Sequence, residues 1–228
     1  MNKEIVQKMC HENNWDFNLF VEYVALIEKY NKVMNLTGFK DDRLWGEGIL
    51  ESLVFMNQIT KNAENIDILD IGAGAGFPSI PYALTKPKNK ITIYEPLQKR
   101  VKFLNIVIEK LNLQNYVSVY AMRSEEQFEK NLFDIVTARA VADIRAMLMS
   151  SFHLVKLKGH MSLIKGKNFQ DEITAANDIA KQLKIEFQVE DLVVPNSDKN
   201  NKIVHIKKLR STPKEFPYPW KDIVKGKK

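Results

Sequence analysis

The chain has 228 residues, 45% of them hydrophobic, 27% charged and 10% aromatic, which supports a packed core and excludes both a collagen-like and a wholly disordered chain. A single cysteine, Cys10, excludes an internal disulfide and any multi-cysteine zinc site, and it points to a reducing compartment. The formal net charge of +6 makes a polyanionic partner worth weighing.

The N-terminal stretch MNKEIVQKMCHENN lacks the apolar run of a signal peptide. No segment approaches the ~18 apolar residues of a membrane-crossing helix, so a soluble cytoplasmic protein is expected. Up to residue 64 the pattern is helical. Phe17, Phe20, Val21, Val24, Leu26, Ile27 and Tyr30 keep i, i+3, i+4 spacing, and a second helix is predicted over about 41–60. These residues read as a helical extension packed on the domain that follows.

From residue 65 short β-branched runs alternate with amphipathic ones. Strands are predicted over 66–72, 91–95, 117–121, 133–138 and 160–166, with helices at about 78–86, 97–112, 123–128, 142–155 and 169–183. Such alternation gives a parallel sheet covered on both faces. Two further apolar runs, 185–195 and 202–209, are joined by Asn196 to Asn201, too short a link for a helix, and so form an antiparallel hairpin. The expected fold class is α/β: a Rossmann-like, mostly parallel seven-stranded sheet over residues 65–210, ending in an antiparallel hairpin. Residues 211–228, with three prolines and a series of lysines, read as an extended basic tail. From residue 196 onward ten basic side chains stand against three acidic ones, +7, whereas the first 195 residues are nearly neutral at −1.

The sharpest local signal is Ile68-Leu69-Asp70-Ile71-Gly72-Ala73-Gly74-Ala75-Gly76-Phe77-Pro78, a strand running into alternating glycines and a helix start. Gly72 and Gly74 let the backbone turn tightly and approach a ligand at the carboxyl end of the first strand. Glu95 ends the second strand 23 residues after Gly72, where a carboxylate accepts hydrogen bonds from ribose hydroxyls. The dinucleotide fingerprint would place its third glycine at position 77, where this chain has Phe77. The G-x-G-x-G spacing is that of S-adenosylmethionine-dependent methyltransferases. A nicotinamide-dependent oxidoreductase is the alternative, and a non-catalytic RNA-binding module a third reading that leaves the glycine-rich edge unexplained.

The glycine motif, together with Asn35-Leu36-Thr37, Lys99-Arg100-Val101-Lys102-Phe103-Leu104, Phe133 to Ala140, Leu163-Ile164-Lys165-Gly166 and Thr212-Pro213-Lys214, resembles the RsmG (glucose-inhibited division protein B) family of bacterial 16S rRNA guanine-N7 methyltransferases. The resemblance implies a class I methyltransferase fold, S-adenosyl-L-methionine as cofactor, and 16S rRNA or the small ribosomal subunit as substrate. It implies further that Gly72, Phe77, Ser124, Glu125 and Arg139 line the cofactor site. Ser124 and Glu125, just past the third strand, are placed to face the adenine, while Phe77 packs on either the cofactor or the sheet. Arg139 follows the fourth strand at the edge where such sheets bind ligands and suits the cofactor, an RNA phosphate, or both. Lys165, ending the fifth strand, suits an RNA phosphate or the target base, with a solvated surface lysine the alternative. Arg139 and Lys165 are the candidate catalytic residues. No metal site and no membrane contact is expected, and the expected oligomeric state is a monomer.

Two departures from the family pattern stand out. Glu47-Gly48 occupies the place of Arg-His, so a substrate role for that histidine does not transfer, and Glu95-Pro96 replaces Asp-Ser with the carboxylate kept. The remaining candidates, His11, His153, His160, His205 and Cys10, have no catalytic or metal-ligand spacing. The absence of a base suits guanine N7, whose in-plane lone pair carries no hydrogen. The basic C-terminus is the expected RNA handle, and removing residues 211–228 is expected to weaken RNA binding more than cofactor binding.

Overall fold

The computed structural model describes residues 1–225. In chain order the elements are α1 (Asn2–Glu12), α2 (Phe17–Met34), α3 (Asp41–Arg43), a π-helical stretch (Leu44–Leu50), α4 (Glu51–Thr60), β1 (Asp67–Ile71), α5 (Ser79–Ala83), β2 (Lys90–Tyr94) and α6 (Gln98–Lys110). There follow β3 (Val117–Tyr120), a 3-10 turn (Ser124–Glu126), β4 (Phe133–Arg139), α7 (Ile144–Ser151), β5 (Val155–Lys165), α8 (Phe169–Ala175), α9 (Asn177–Leu183), β6 (Gln188–Leu192), β7 (Asn201–Lys207) and α10 (Trp220–Lys225).

The seven strands form one sheet in the order β3-β2-β1-β4-β5-β7-β6. β1 to β5 run parallel, and β7 inserts antiparallel between β5 and β6. The chain leaves β1 toward β2 on one side and returns to β4 on the other, so the sheet reverses direction at the β1/β4 boundary, where α/β sheets open a ligand crevice. Both faces are covered. Phe20, Tyr23, Ile27, Leu53 and Phe55 of the helical layer pack with Ile80 and Phe103 on one side. Met147, Leu148 and Phe152 pack with Val136, Met161 and Ile206 on the other.

The structure differs locally from the sequence reading in three places. The helix expected over 41–60 is wound as a π-helix between Leu44 and Leu50. Its two glycines, Gly46 and Gly48, lie against neighbours that leave no room for side chains, with a Cβ falling 2.6 Å from Asn2 Nδ2 and 2.8 Å from Phe77 Cζ respectively. π-helical stretches are rare and often sit at functional sites. The helix expected over 169–183 divides at Ala176 into α8 and α9.

The third difference is the C-terminal segment, which does not extend away from the core as its prolines and lysines suggested. Thr212, Phe216 and Ile223 are buried, and Phe216 and Ile223 join the core on the α7 side of the sheet. Tyr218 N–H donates to Met149 O at 3.0 Å, and Lys130 Nζ donates to Pro213 O at 2.8 Å. Apolar residues spaced among the prolines supply the anchors that the charge pattern hid. The basic excess is also partly consumed inside the fold. Lys208 is fully buried and donates to the carbonyls of Phe152, His153 and Val155, with burial pulling its pKa down to about 8. Lys202 pairs with Asp191 and Lys199 with Glu47. Residues 226–228, with two of the expected tail lysines, lie outside the described residues.

Candidate functional site

β1 is a largely buried strand that ends at Ile71, and beyond it the backbone turns through positive φ at Gly72 (+68°), Gly74 (+61°) and Gly76 (+105°). An L side chain is strained in that region, and a Cβ at Gly72 would also fall 2.7 Å from Val141 Cγ2. Tyr23, from α2, donates its hydroxyl to Ala75 O at 2.6 Å and so pins the glycine turn to the helical layer. Beneath the turn Asp70 is fully buried and accepts from Ser79 Oγ at 2.6 Å, while its other oxygen has no partner. Burial pushes its carboxyl up to about 7.

At the carboxyl end of β1, β2 and β3 lies a cavity of about 240 Å³ whose walls include Gly72, Glu95, Met122, Ser124, Glu125 and Trp220. Glu95 is buried and accepts from the backbone N–H groups of Gly74 (3.1 Å) and Leu97 (3.0 Å), with Arg100 3.8 Å away. Ser124 Oγ hydrogen-bonds Ser151 Oγ at 2.7 Å, continuing through Ser150 at 2.8 Å. Two wall residues keep buried polar atoms without partners, Glu125 Oε1 and Arg100 Nε. A buried acceptor and a buried donor left unmatched, beside a glycine turn that bares its backbone, suit a nucleoside-type ligand with polar edges.

A second cavity of about 530 Å³ adjoins the first, and Ala140 and Val141 of the β4–α7 loop line both. Its walls bring together Arg139, Lys165, Glu47, Glu51, Glu172 and Lys199. Arg139, the last residue of β4, holds Glu51 at 2.9 Å and donates to Glu47 O at 2.7 Å, and its guanidinium lies 5.3 Å from the Phe39 ring centre. Glu51 is buried and accepts a second hydrogen bond from Asn201 at 2.9 Å. Lys165, the last residue of β5, holds Glu172 at 2.8 Å and donates to Ala142 O at 2.6 Å. Glu47 is held by Arg43 (2.8 Å) and Lys199 (2.6 Å), and those cations draw its carboxyl down to about 2.

The predicted site residues therefore divide. Gly72, Glu95, Ser124 and Glu125 share the first cavity; Gly74 stands behind it through its bond to Glu95; Arg139 and Lys165 share the second. Phe77 lines neither cavity, and packs on Tyr23 and Phe39 with ring centres 6.0 and 6.2 Å away. Its ring occupies the space a side chain at position 48 would need, so Gly48 and Phe77 are complementary in this chain. His153, His160 and His205 have depressed pKa values through burial, and none of them lines either cavity. Cys10 is buried with its thiol pushed up to about 11. The sequence reading missed Trp220, which lies in a segment with no periodicity, and Glu51, whose partner Arg139 is 88 positions away.

A family model described as rRNA small subunit methyltransferase G matches residues 16–204. A protein named ribosomal RNA small subunit methyltransferase G from Mycoplasmopsis pulmonis is 36% identical over 208 residues, covering 90% of this chain and 89% of its own length. One of the same name from Clostridium botulinum is 34% identical over 228 residues, covering 93% of each chain. The chain belongs to the rRNA small subunit methyltransferase G family. As a member of that family it takes S-adenosylmethionine as cofactor. Among solved structures, a SAM-dependent methyltransferase from Aquifex aeolicus superposes with a TM-score of 0.57 at 18% identity, over 81% of this chain and 98% of its own. An O-methyltransferase from Bacillus cereus in complex with SAH gives 0.56 at 15% identity, over 82% and 91%. At those identities the likeness is one of fold, the Rossmann-like α/β sheet read from the strand pattern. Among the described residues no helix is long and apolar enough to cross a membrane, and no group of three or more His, Cys, Asp and Glu side chains is placed to hold a metal.

Proposed function

We propose that this family member methylates N7 of a guanine in 16S rRNA by direct in-line transfer, acting in the cytoplasm as a monomer and without a metal. The observation that carries this reading is the adjacency of the two cavities across Ala140 and Val141. One cavity offers a glycine-built backbone cradle, the other a set of arginine and lysine side chains, and both come from a single chain. When bound, S-adenosylmethionine supplies a sulfonium-activated methyl group. Gly72 and Gly74 allow its close approach, Glu95 is placed for ribose hydroxyls, and the free acceptor of Glu125 is placed for the adenine amine.

Arg139 and Lys165 hold the RNA side, on a phosphate or at the target base, while their carboxylate partners temper the positive charge that N7 methylation leaves on the purine. Guanine N7 needs no proton removed, so the chain's task is to position the base, a contribution worth about 7–11 kcal/mol of barrier in well-oriented reactions. The absence of a histidine from both cavities agrees with this.

Mass mapping of 16S rRNA from a strain lacking the gene tests the reading. The expected result is loss of one methyl group at a guanine, restored when purified protein and S-adenosylmethionine are added to that RNA or subunit. An unchanged methylation map overturns it. A thermal shift with S-adenosylhomocysteine and none with NAD separates it from the oxidoreductase alternative.

A further inference from the structure

The wall of the first cavity contains an aromatic residue that belongs to no part of the sheet. Trp220 opens α10, yet it lines the same cavity as Gly72 and Glu95. It shares that cavity with Met122, Arg123, Ser124 and Glu125, and the Arg123 guanidinium lies 5.5 Å from its ring centre. The other aromatic on this wall, Tyr94, is buried and already engaged edge-on by Tyr120 and Phe133, at 6.0 and 6.1 Å. Trp220 is half-buried, so part of its indole is open to the cavity.

Its position is fixed from both directions along the chain. Phe216, four residues earlier, is buried and meets Tyr218 edge-on at 4.9 Å, and Ile223, three residues later, is fully buried. Tyr218 N–H is tied to Met149 O on α7, whose Met147 and Ser150 also line the cavity. The prolines and apolar anchors thus hold an indole against a cavity wall whose one unmatched acceptor, Glu125 Oε1, suits the exocyclic amine of an adenine.

We propose that Trp220 is a cofactor-binding residue that closes the adenine end of the first cavity, stacking its indole on the base of the adenosyl cofactor, with residues 212–225 holding it in place. The inference rests on the reading of this cavity as the cofactor site and deepens it. It gives the C-terminal segment a place in cofactor binding where charge alone suggested only an RNA handle. A flat apolar ring beside a hydrogen-bond acceptor is the chemistry that recognises a purine, and base–aromatic stacking is strong enough to be measured by truncating the ring.

The test uses the full chain. Of its three tryptophans only Trp220 lines the cavity, Trp15 and Trp45 belonging to the helical layer, so ligand-dependent tryptophan fluorescence reports on it directly. Titration with S-adenosylhomocysteine, and with 5′-methylthioadenosine, which keeps the base and loses the amino-acid part, should change the emission of the wild type. Trp220→Phe should abolish that change while calorimetry still shows binding, and Trp220→Ala should weaken the Kd for both ligands by about fivefold or more. A purely structural tryptophan would leave emission unmoved by ligand, so binding to the wild type with no emission change overturns the proposal. Unaltered Kd in a folded Trp220→Ala overturns it equally. If Trp220→Ala does not fold, the Trp220→Phe emission comparison decides. No binding of either ligand to the wild type overturns the cofactor reading itself, and the proposal with it.

Discussion

At the first cavity the chain contributes mainly backbone, from a glycine turn, and one buried carboxylate, Glu95, satisfied largely by main-chain N–H groups. The neighbouring cavity is built from ion pairs, Arg139 with Glu51, Lys199 with Glu47 and Lys165 with Glu172, the first two of which join elements far apart in sequence. A backbone cradle is made locally and tolerates almost no change in side-chain size. A paired-charge wall is made by tertiary folding, and each of its cations carries a carboxylate whose fate decides what a mutation does.

Substitutions aimed at each cavity should break this comparison differently, and the largest effect is expected at the backbone cradle. Gly72→Ala places a Cβ 2.7 Å from Val141 at a positive φ, so calorimetry should show S-adenosylhomocysteine binding falling by more than about a hundredfold, with about 1–2 kcal/mol of added strain. Binding near the wild-type level would show that the loop, rather than the glycine, shapes the cradle.

Arg139→Ala should come next and act on the other cavity. It leaves Glu51 buried without its cation, a change of about 3–5 kcal/mol where such pairs are broken, and it should nearly abolish rRNA methylation while cofactor affinity changes little. Wild-type turnover would remove Arg139 from the reaction. Adding Glu51→Gln to that variant should restore much of the lost melting temperature without restoring activity, which separates the structural cost from the functional one.

A smaller and pH-dependent effect is expected at Asp70. Its carboxyl is raised to about 7 in the folded state, above the unfolded value of roughly 3.9, so its stabilising protonation is complete at low pH and is lost as pH rises through about 7. Asp70→Asn should therefore flatten the fall of melting temperature across that window. An unchanged pH profile would mean that Asp70 is ionised in its buried site.

The smallest effect is expected on the surface. Deleting residues 211–228 would strip Phe216 and Ile223 from the core and Trp220 from the cavity, so it cannot isolate a charge effect. Replacing the exposed Lys214, Lys221 and Lys225 with Gln leaves those anchors in place. It should weaken RNA binding modestly and reduce the salt slope by at most about 0.7–0.9 per lost phosphate contact, with cofactor affinity unchanged. An unchanged salt dependence would place the RNA handle elsewhere.

The legibility of the two cavities follows the same division. Gly72 and Glu95 directly follow β1 and β2, and Ser124 and Glu125 lie four and five residues past the end of β3, so strand pattern and glycine spacing were enough to bring them to one edge. Arg139 and Lys165 could be placed at that edge by the same logic, but Glu51, which holds Arg139, could not, because it lies on a helix 88 positions away whose packing no local pattern encodes. Phe77 shows the limit from the other side, since its neighbours Tyr23, Phe39 and Gly48 all come from the helical layer.

The sequence by itself determined the alternating α/β order, the hairpin at the sheet's end and the glycine cradle, because each depends on hydrophobic period and backbone freedom within a few residues. Only the tertiary structure decided how the charge is used. Lys208 is buried on carbonyls, Lys199 and Lys202 are paired with acids, and the segment that read as a loose basic tail is fastened by Phe216 and Ile223 with Trp220 at the cavity. Net charge counts residues, whereas their availability depends on burial and partners, and those are set by contacts between parts of the chain that the sequence keeps far apart.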